Sequence, residues 1–182
     1  MAHRITTPLS PETLAMLTAG DSVLLSGVIY TGRDAAHKRL CSLLSRGENL
    51  PVDLRGQTIY YVGPCPAPPG MVIGSCGPTT SYRMDAYAPQ LIAQGLRGMI
   101  GKGQRSAGVI EAMKTHGAVY FAATGGAAAL MARCVRECAP VAFHDLGTEA
   151  IHRLVVEDMP LIVATDAAGR DLYTKGPAAY RR

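Results

Sequence analysis

A chain of 182 residues, 48% apolar and 18% charged, has enough material for a buried core and the composition of a folded protein, not a disordered one. Its net charge of +4 contains no run of five like charges, which argues against a nucleic-acid-binding face. The weakly polar stretch Gly117–Ala132 is rich in Gly and Ala and shorter than the ~18 residues of a membrane span.

In chain order, Ser10-Pro11 reads as an N-cap with proline at the first helical position, opening a short helix that stops at Gly20. Residues 21–30 read as a strand and 33–44 as a helix with Leu40, Leu43 and Leu44 on one side. A strand is expected at 58–64, then a proline-rich link, then a short apolar strand at 71–74. Residues 81–94 read as helical despite Pro89. G-M-I-G-K-G (98–103) is a strand ending in a glycine loop, and 106–117 is a helix closed by Gly117. Residues 118–123 form a strand and 125–138 a helix. Strands at 141–146 and 161–166 enclose a short helix. Several strands lack clean alternation, as strands covered on both faces do. The class is α/β, one domain over 1–182, with antiparallel pairing around 58–74.

Five cysteines are present: Cys41, Cys65, Cys76, Cys134 and Cys138. An odd number, and an N-terminus M-A-H-R-I-T-T-P without an apolar export segment, favour the cytoplasm over a disulfide framework. Cys134 and Cys138, four apart in a helical pattern, read as thiols on a helix face. Half of a metal site is the alternative, but no second Cys or His pair stands nearby to complete it.

Four glycine-bounded stretches put polar residues where a strand gives way to a helix: residues 30–39, 74–85, 99–105 and 123–130. Ligands of open α/β sheets gather outside the carboxyl ends of strands, and helix N-termini there favour anions. Arg33 stands at the helix end that disfavours a cation. Arg83 follows Thr79 by four, so that one helical face would carry both. Lys102 lies between two glycines. Each residue alone reads equally as a solvated surface charge. Asp34 reads as a helix N-terminal charge, and His37 as pairing with Asp34 or capping a neighbour. Together, two arginine forks and a lysine suit a dicarboxylate.

The ordered set G-R-D-A-A-H-K-R, Y-Y-V-G-P, G-S-C-G-P-T-T-S-Y-R-M-D, M-I-G-K-G, V-Y-F-A-A-T-G-G-A-A-A-L and H-R-L-V-V-E-D-M-P-L-I-V-A-T-D-A-A-G-R-D-L-Y covers about residues 4–173. It resembles the β subunit of the iron–sulfur-dependent class I fumarate hydratases and L(+)-tartrate dehydratases. The resemblance implies a swivelling β/β/α domain. It implies a separate α subunit that holds a [4Fe-4S] cluster through three cysteines of its own, in an (αβ)2 assembly. None of the five cysteines here would then be a ligand. Carried over by position, Arg33, Arg83 and Lys102 resemble substrate contacts. Thr79 resembles a substrate contact and the catalytic base. The implied reaction is reversible dehydration of a 2-hydroxy acid, with iron as Lewis acid on the leaving hydroxyl. A threonine hydroxyl is almost never ionised near neutral pH, so Thr79 needs cationic neighbours or a relay. The leading reading is the interconversion of (S)-malate and fumarate in the citric acid cycle. The alternatives are tartrate dehydration and a non-catalytic assembly subunit.

Overall fold

The computed structural model describes residues 2–123 and 126–178. The chain runs β1 (His3–Thr6), α1 (Pro11–Met16), β2 (Ser22–Thr31), α2 (Asp34–Ser45) and β3 (Thr58–Tyr60). After a long irregular segment come a 3-10 helix (Ser81–Met84), α3 (Ala88–Ala93), β4 (Gly98–Gly101), α4 (Ala107–His116) and β5 (Val119–Ala122). The last part is α5 (Ala128–Arg133), β6 (Val135–Ala142), a second 3-10 helix (His144–Glu149), β7 (Ile151–Thr165) and α6 (Leu172–Ala178). The Ser10 hydroxyl accepts the Thr13 amide at 3.2 Å and Pro11 opens α1, so that cap forms as its sequence dictates.

β2, β3, β4 and β5 are parallel neighbours in that order, and β1 lies parallel to the first half of β2. The 15-residue β7 runs antiparallel to β2 along one edge. Its other edge takes β6 and then β5. The order β2–β3–β4–β5–β7 therefore returns to β2, and the sheet closes on itself. Closure leaves the ring strands without a free edge, while β1 and β6 remain edge strands.

Neighbouring residues of the ring strands face opposite layers. Tyr60, Val62, Ile100, Val119 and Phe121 join one apolar cluster with Leu25, Ile29, Leu154 and Val163, the inward face of the ring. Ile59, Tyr61, Met99 and Tyr120 join the other, against Leu40 of α2, Leu91 and Ile92 of α3, and Val109 and Met113 of α4. Both faces are covered, which accounts for apolar runs without polar alternation.

The structure corrects several expectations. Residues 71–74 form no strand: Cys65 and Gly74–Ser75 hydrogen-bond across the proline-rich loop instead. The strand expected over 58–64 ends at Tyr60. Residues 81–94 split into a 3-10 turn and α3, because Pro89 has no amide to continue a helix and sits in the first turn of a new one. The helix expected over 125–138 ends at Arg133, and Val135–Ala142 pairs with β7, with Pro140 tolerated on an edge strand. Cys134 and Cys138 therefore share no helix face. The last two strands and the helix between them are also displaced: 144–149 is the 3-10 helix, and 151–165 is one continuous strand. The antiparallel pairing lies on β7 and not around 58–74. β1 and α6 were not expected.

Candidate active site

The carboxyl ends of β2, β3, β4 and β5 lie side by side, extended past the strands by Gly32 N–H to Tyr60 C=O (3.0 Å), Tyr61 N–H to Ile100 C=O (2.8 Å) and Ala123 N–H to Gly101 C=O (2.9 Å). Arg33 leaves the end of β2 as the N-cap residue of α2, but its side chain caps nothing. Half-buried, the guanidinium reaches Glu149 at 3.0 Å and lies 3.7 Å from Asp34, while its Nε has no hydrogen-bond partner. A Cβ at Gly63 would come within 3.3 Å of both the Arg33 side chain and the Thr148 carbonyl, a tight fit that a larger residue would have to relieve by shifting one of them.

Thr79 is threaded between the ends of β3 and β4. Its amide donates to Tyr61 C=O at 2.7 Å, and its carbonyl accepts the Lys102 amide at 3.4 Å. Ser81 N–H donates to Lys102 C=O at 2.9 Å, and Thr80 and Lys102 pair as parallel bridge partners. The approach is close enough that a Cβ on Gly101 would lie 2.1 Å from Ser81 Oγ. Thr79 lies before the 3-10 helix, whose N-cap is Thr80, so Thr79 and Arg83 do not share a helical face as their spacing suggested. Thr79 is partly buried, whereas Arg83 and Lys102 are exposed, and neither cation has an ion-pair partner among the described residues.

The fold thus joins Thr79 to Lys102 through the backbone, sets Arg83 on the next turn, and leaves Arg33 one strand over. In the fourth polar loop, Thr124 and Gly125 lie outside the described residues. A cavity of about 220 Å³ lined by Cys65, Ile73, Cys138, Thr148 and His152 adjoins the Gly63 side, and none of the four candidate residues lines it.

Other polar groups here were not foreseen as functional. Arg105 is buried with its Nε 2.7 Å from Asp85 Oδ1, and its Nη1 donates to the Tyr61 hydroxyl at 3.2 Å. Glu149 holds Arg33. Asp85 and Arg105 are twenty residues apart and Glu149 is farther still, so no spacing could have paired them. His37 is fully buried, and its Nδ1–H donates to the Arg33 carbonyl at 2.9 Å, which realises the capping alternative and not a pair with Asp34. Desolvation, helped by the charge of Arg105, pushes its pKa down to about 4, so the ring is neutral. Cys76, inside the loop, is buried among apolar side chains. Burial, with other thiols nearby, raises its pKa to about 12, and its backbone carbonyl accepts the Tyr60 hydroxyl. A thiol held protonated is a poor nucleophile and a poor metal ligand. Among the described residues no three His, Cys, Asp or Glu side chains are grouped to hold a metal. No described helix is long and apolar enough to cross a membrane.

The chain matches the family model described as the fumarase C-terminus over residues 3–176. It is 40% identical over 164 residues to the aerobic class I fumarate hydratase of Salmonella typhimurium, covering 89% of this chain and 28% of that protein. To the corresponding aerobic enzyme of Escherichia coli K12 it is 42% identical over 151 residues, 82% of this chain and 28% of that protein. It is 39% identical over 171 residues to a Methanocaldococcus jannaschii protein provisionally named L(+)-tartrate dehydratase subunit beta, covering 91% of this chain and 88% of that one. The chain therefore spans under a third of the fumarate hydratases and most of the archaeal protein. On this match over nearly its whole length, the chain belongs to the fumarase C-terminus family.

Proposed function

We propose that this chain is the β subunit of a two-chain hydro-lyase that interconverts (S)-malate and fumarate. The observation that carries the reading is the backbone pairing of the Thr79 and Lys102 loops, with Arg83 on the turn that follows, two cations that have no acidic partner among the described residues. Cations left unpaired near the ends of parallel strands suit an anionic ligand. In this reading Arg33 and Arg83 grip the two carboxylates of a C4 acid and Lys102 adds a point charge. Thr79 handles the proton on the carbon next to the hydroxyl-bearing one, its alkoxide favoured by Arg83 and Lys102. The carboxylate of Glu149 holds Arg33 until substrate replaces it.

The [4Fe-4S] cluster belongs in this proposal to a separate α subunit, as the family resemblance implies. The match to most of a relative named as a beta subunit supports the two-chain reading. We further propose a single swivelling β/β/α domain over 1–182, an (αβ)2 assembly, a cytoplasmic location consistent with five free thiols, and a place in the citric acid cycle. Dehydration of L(+)-tartrate is a second reading, favoured by the name of that same relative.

The test is anaerobic co-production with the cluster-bearing partner, followed by assay on fumarate, malate and tartrate. Malate–fumarate turnover by the pair, and none by this chain alone after reconstitution with iron and sulfide, is the expected result. Preferred turnover of tartrate selects the second reading, and full activity of the isolated chain overturns the two-chain proposal.

A further inference from the structure

We infer that Arg105 and Asp85 are positioning residues, a buried ion pair that locks the Thr79 and Lys102 loops to each other. Its catalytic consequence rests on the proposed reading above, whereas its structural part stands on geometry alone.

The Arg105 side chain is 0% exposed. Its Nε donates to Asp85 Oδ1 at 2.7 Å, and the other Asp85 oxygen accepts the Ser106 amide at 2.7 Å. One carboxylate thereby ties the residue just beyond the first 3-10 helix to the segment that follows Lys102. The guanidinium also lies between two rings, 5.2 Å from the centre of Tyr61 and 5.1 Å from that of Tyr120. Both rings lead to the site. The Tyr61 carbonyl accepts the Thr79 amide. The Tyr120 hydroxyl donates to Gly103 C=O at 2.8 Å, which leaves it to accept from Ser81 Oγ at 2.9 Å.

Burying such a pair is not the cheapest way to stabilise a core, since apolar residues of similar volume often serve as well or better. A planar fork adds direction that apolar packing lacks. Here it sets the distance between the turn carrying Arg83 and the loop carrying Lys102. Arg105→Lys keeps the charge and loses the fork, and Asp85→Asn keeps the shape and loses the charge.

The decisive measurement is amide hydrogen exchange on the full chain at Thr79, Ser81 and Lys102, each a donor in the loop pairing. In both variants these amides should exchange about tenfold faster or more, while amides of β7 keep their wild-type rates. Unchanged loop amides, or an equal acceleration across the chain, overturn the inference. The second measurement is made in the assembled enzyme against Leu17→Ala, a buried substitution in the segment after α1. At matched thermal stability, Arg105→Lys should lower kcat about tenfold beyond the control, with less change in KM. Equal losses overturn the positioning role. A wild-type pair that turns over none of the three acids sinks the proposed reaction instead, and the exchange data still decide the clamp.

Discussion

The two sides of the candidate site are held in opposite ways. On one side, Thr79 and Lys102 are fixed by backbone hydrogen bonds and backed by the Arg105–Asp85 pair, whose side chains are 0% and 13% exposed. On the other, Arg33 meets Glu149 in a pair whose side chains are 24% and 26% exposed, joining α2 to the second 3-10 helix. The first side cannot exchange partners without leaving a buried charge unpaired. The second can, because a carboxylate in contact with water is replaceable by another carboxylate. The function proposed above, which binds a diacid and moves a proton, would use both: fixed geometry at the Thr79 hydroxyl and an exchangeable counter-charge at Arg33.

The largest effect should come from the fixed side. Thr79→Val keeps shape and removes the hydroxyl, and should cut kcat of the assembled enzyme by ~10²–10⁴-fold, the worth of acid–base assistance. Steady-state kinetics with cluster content checked would show this. Near-normal turnover would reduce Thr79 to a packing residue.

Next, the two ion pairs should differ in what they contribute to stability. Asp85→Ala strands Arg105 and the Ser106 amide and should cost about 3–5 kcal/mol. Glu149→Ala, at a partly exposed pair, should cost about 0–1 kcal/mol. Denaturant melts of the isolated chain measure both, and similar losses would erase the contrast.

Acid should weaken the layer beneath Arg33 through His37. Its folded pKa of about 4 lies below the ordinary 6.5 because burial disfavours the imidazolium. The unfolded chain therefore binds the extra proton first as pH falls. The contribution is fully present above pH 6.5 and is lost progressively down to about pH 4, amounting to about 3 kcal/mol. Thermal melts from pH 7.5 to 4.5 should show this slope, and His37→Gln should flatten it. A parallel slope in the variant would assign the acid sensitivity elsewhere.

The smallest effect sharpens the exchangeable side. Glu149→Gln removes the charge that competes for Arg33 and should lower KM for the diacid by about two- to fivefold, within the ~1 kcal/mol worth of such a pair. A raised KM would make Glu149 an orienting partner of Arg33 and not a placeholder.

How much of this was legible beforehand varied along the chain. The strand–loop–helix units around Arg33 and Lys102 were readable, because a parallel strand buried on both faces and a glycine-bounded turn leave a local signature. Much of 134–160 was misread. V-R-E-C-A-P-V is a weak strand by composition, and only β7 lying alongside gives its amides partners. Arg33 and Lys102 stood out because a cation at a helix N-terminus or between glycines is locally out of place, whereas Arg83 was marked by its spacing from Thr79 and Thr79 by the family resemblance. Asp85, Arg105 and Glu149 did not, because each looks like an ordinary surface charge until the fold buries it or brings its partner.

The sequence by itself determined the α/β class, the caps, the polar loops that follow the strands and the family, all of which depend on residues near one another in the chain. Only the tertiary structure decided that β7 closes the sheet, that Thr79 lies between Tyr61 and Lys102, and that a buried arginine stands behind them. Those outcomes depend on contacts between residues 18 to more than 100 positions apart, where the gain is shared burial and hydrogen bonding that no local pattern encodes.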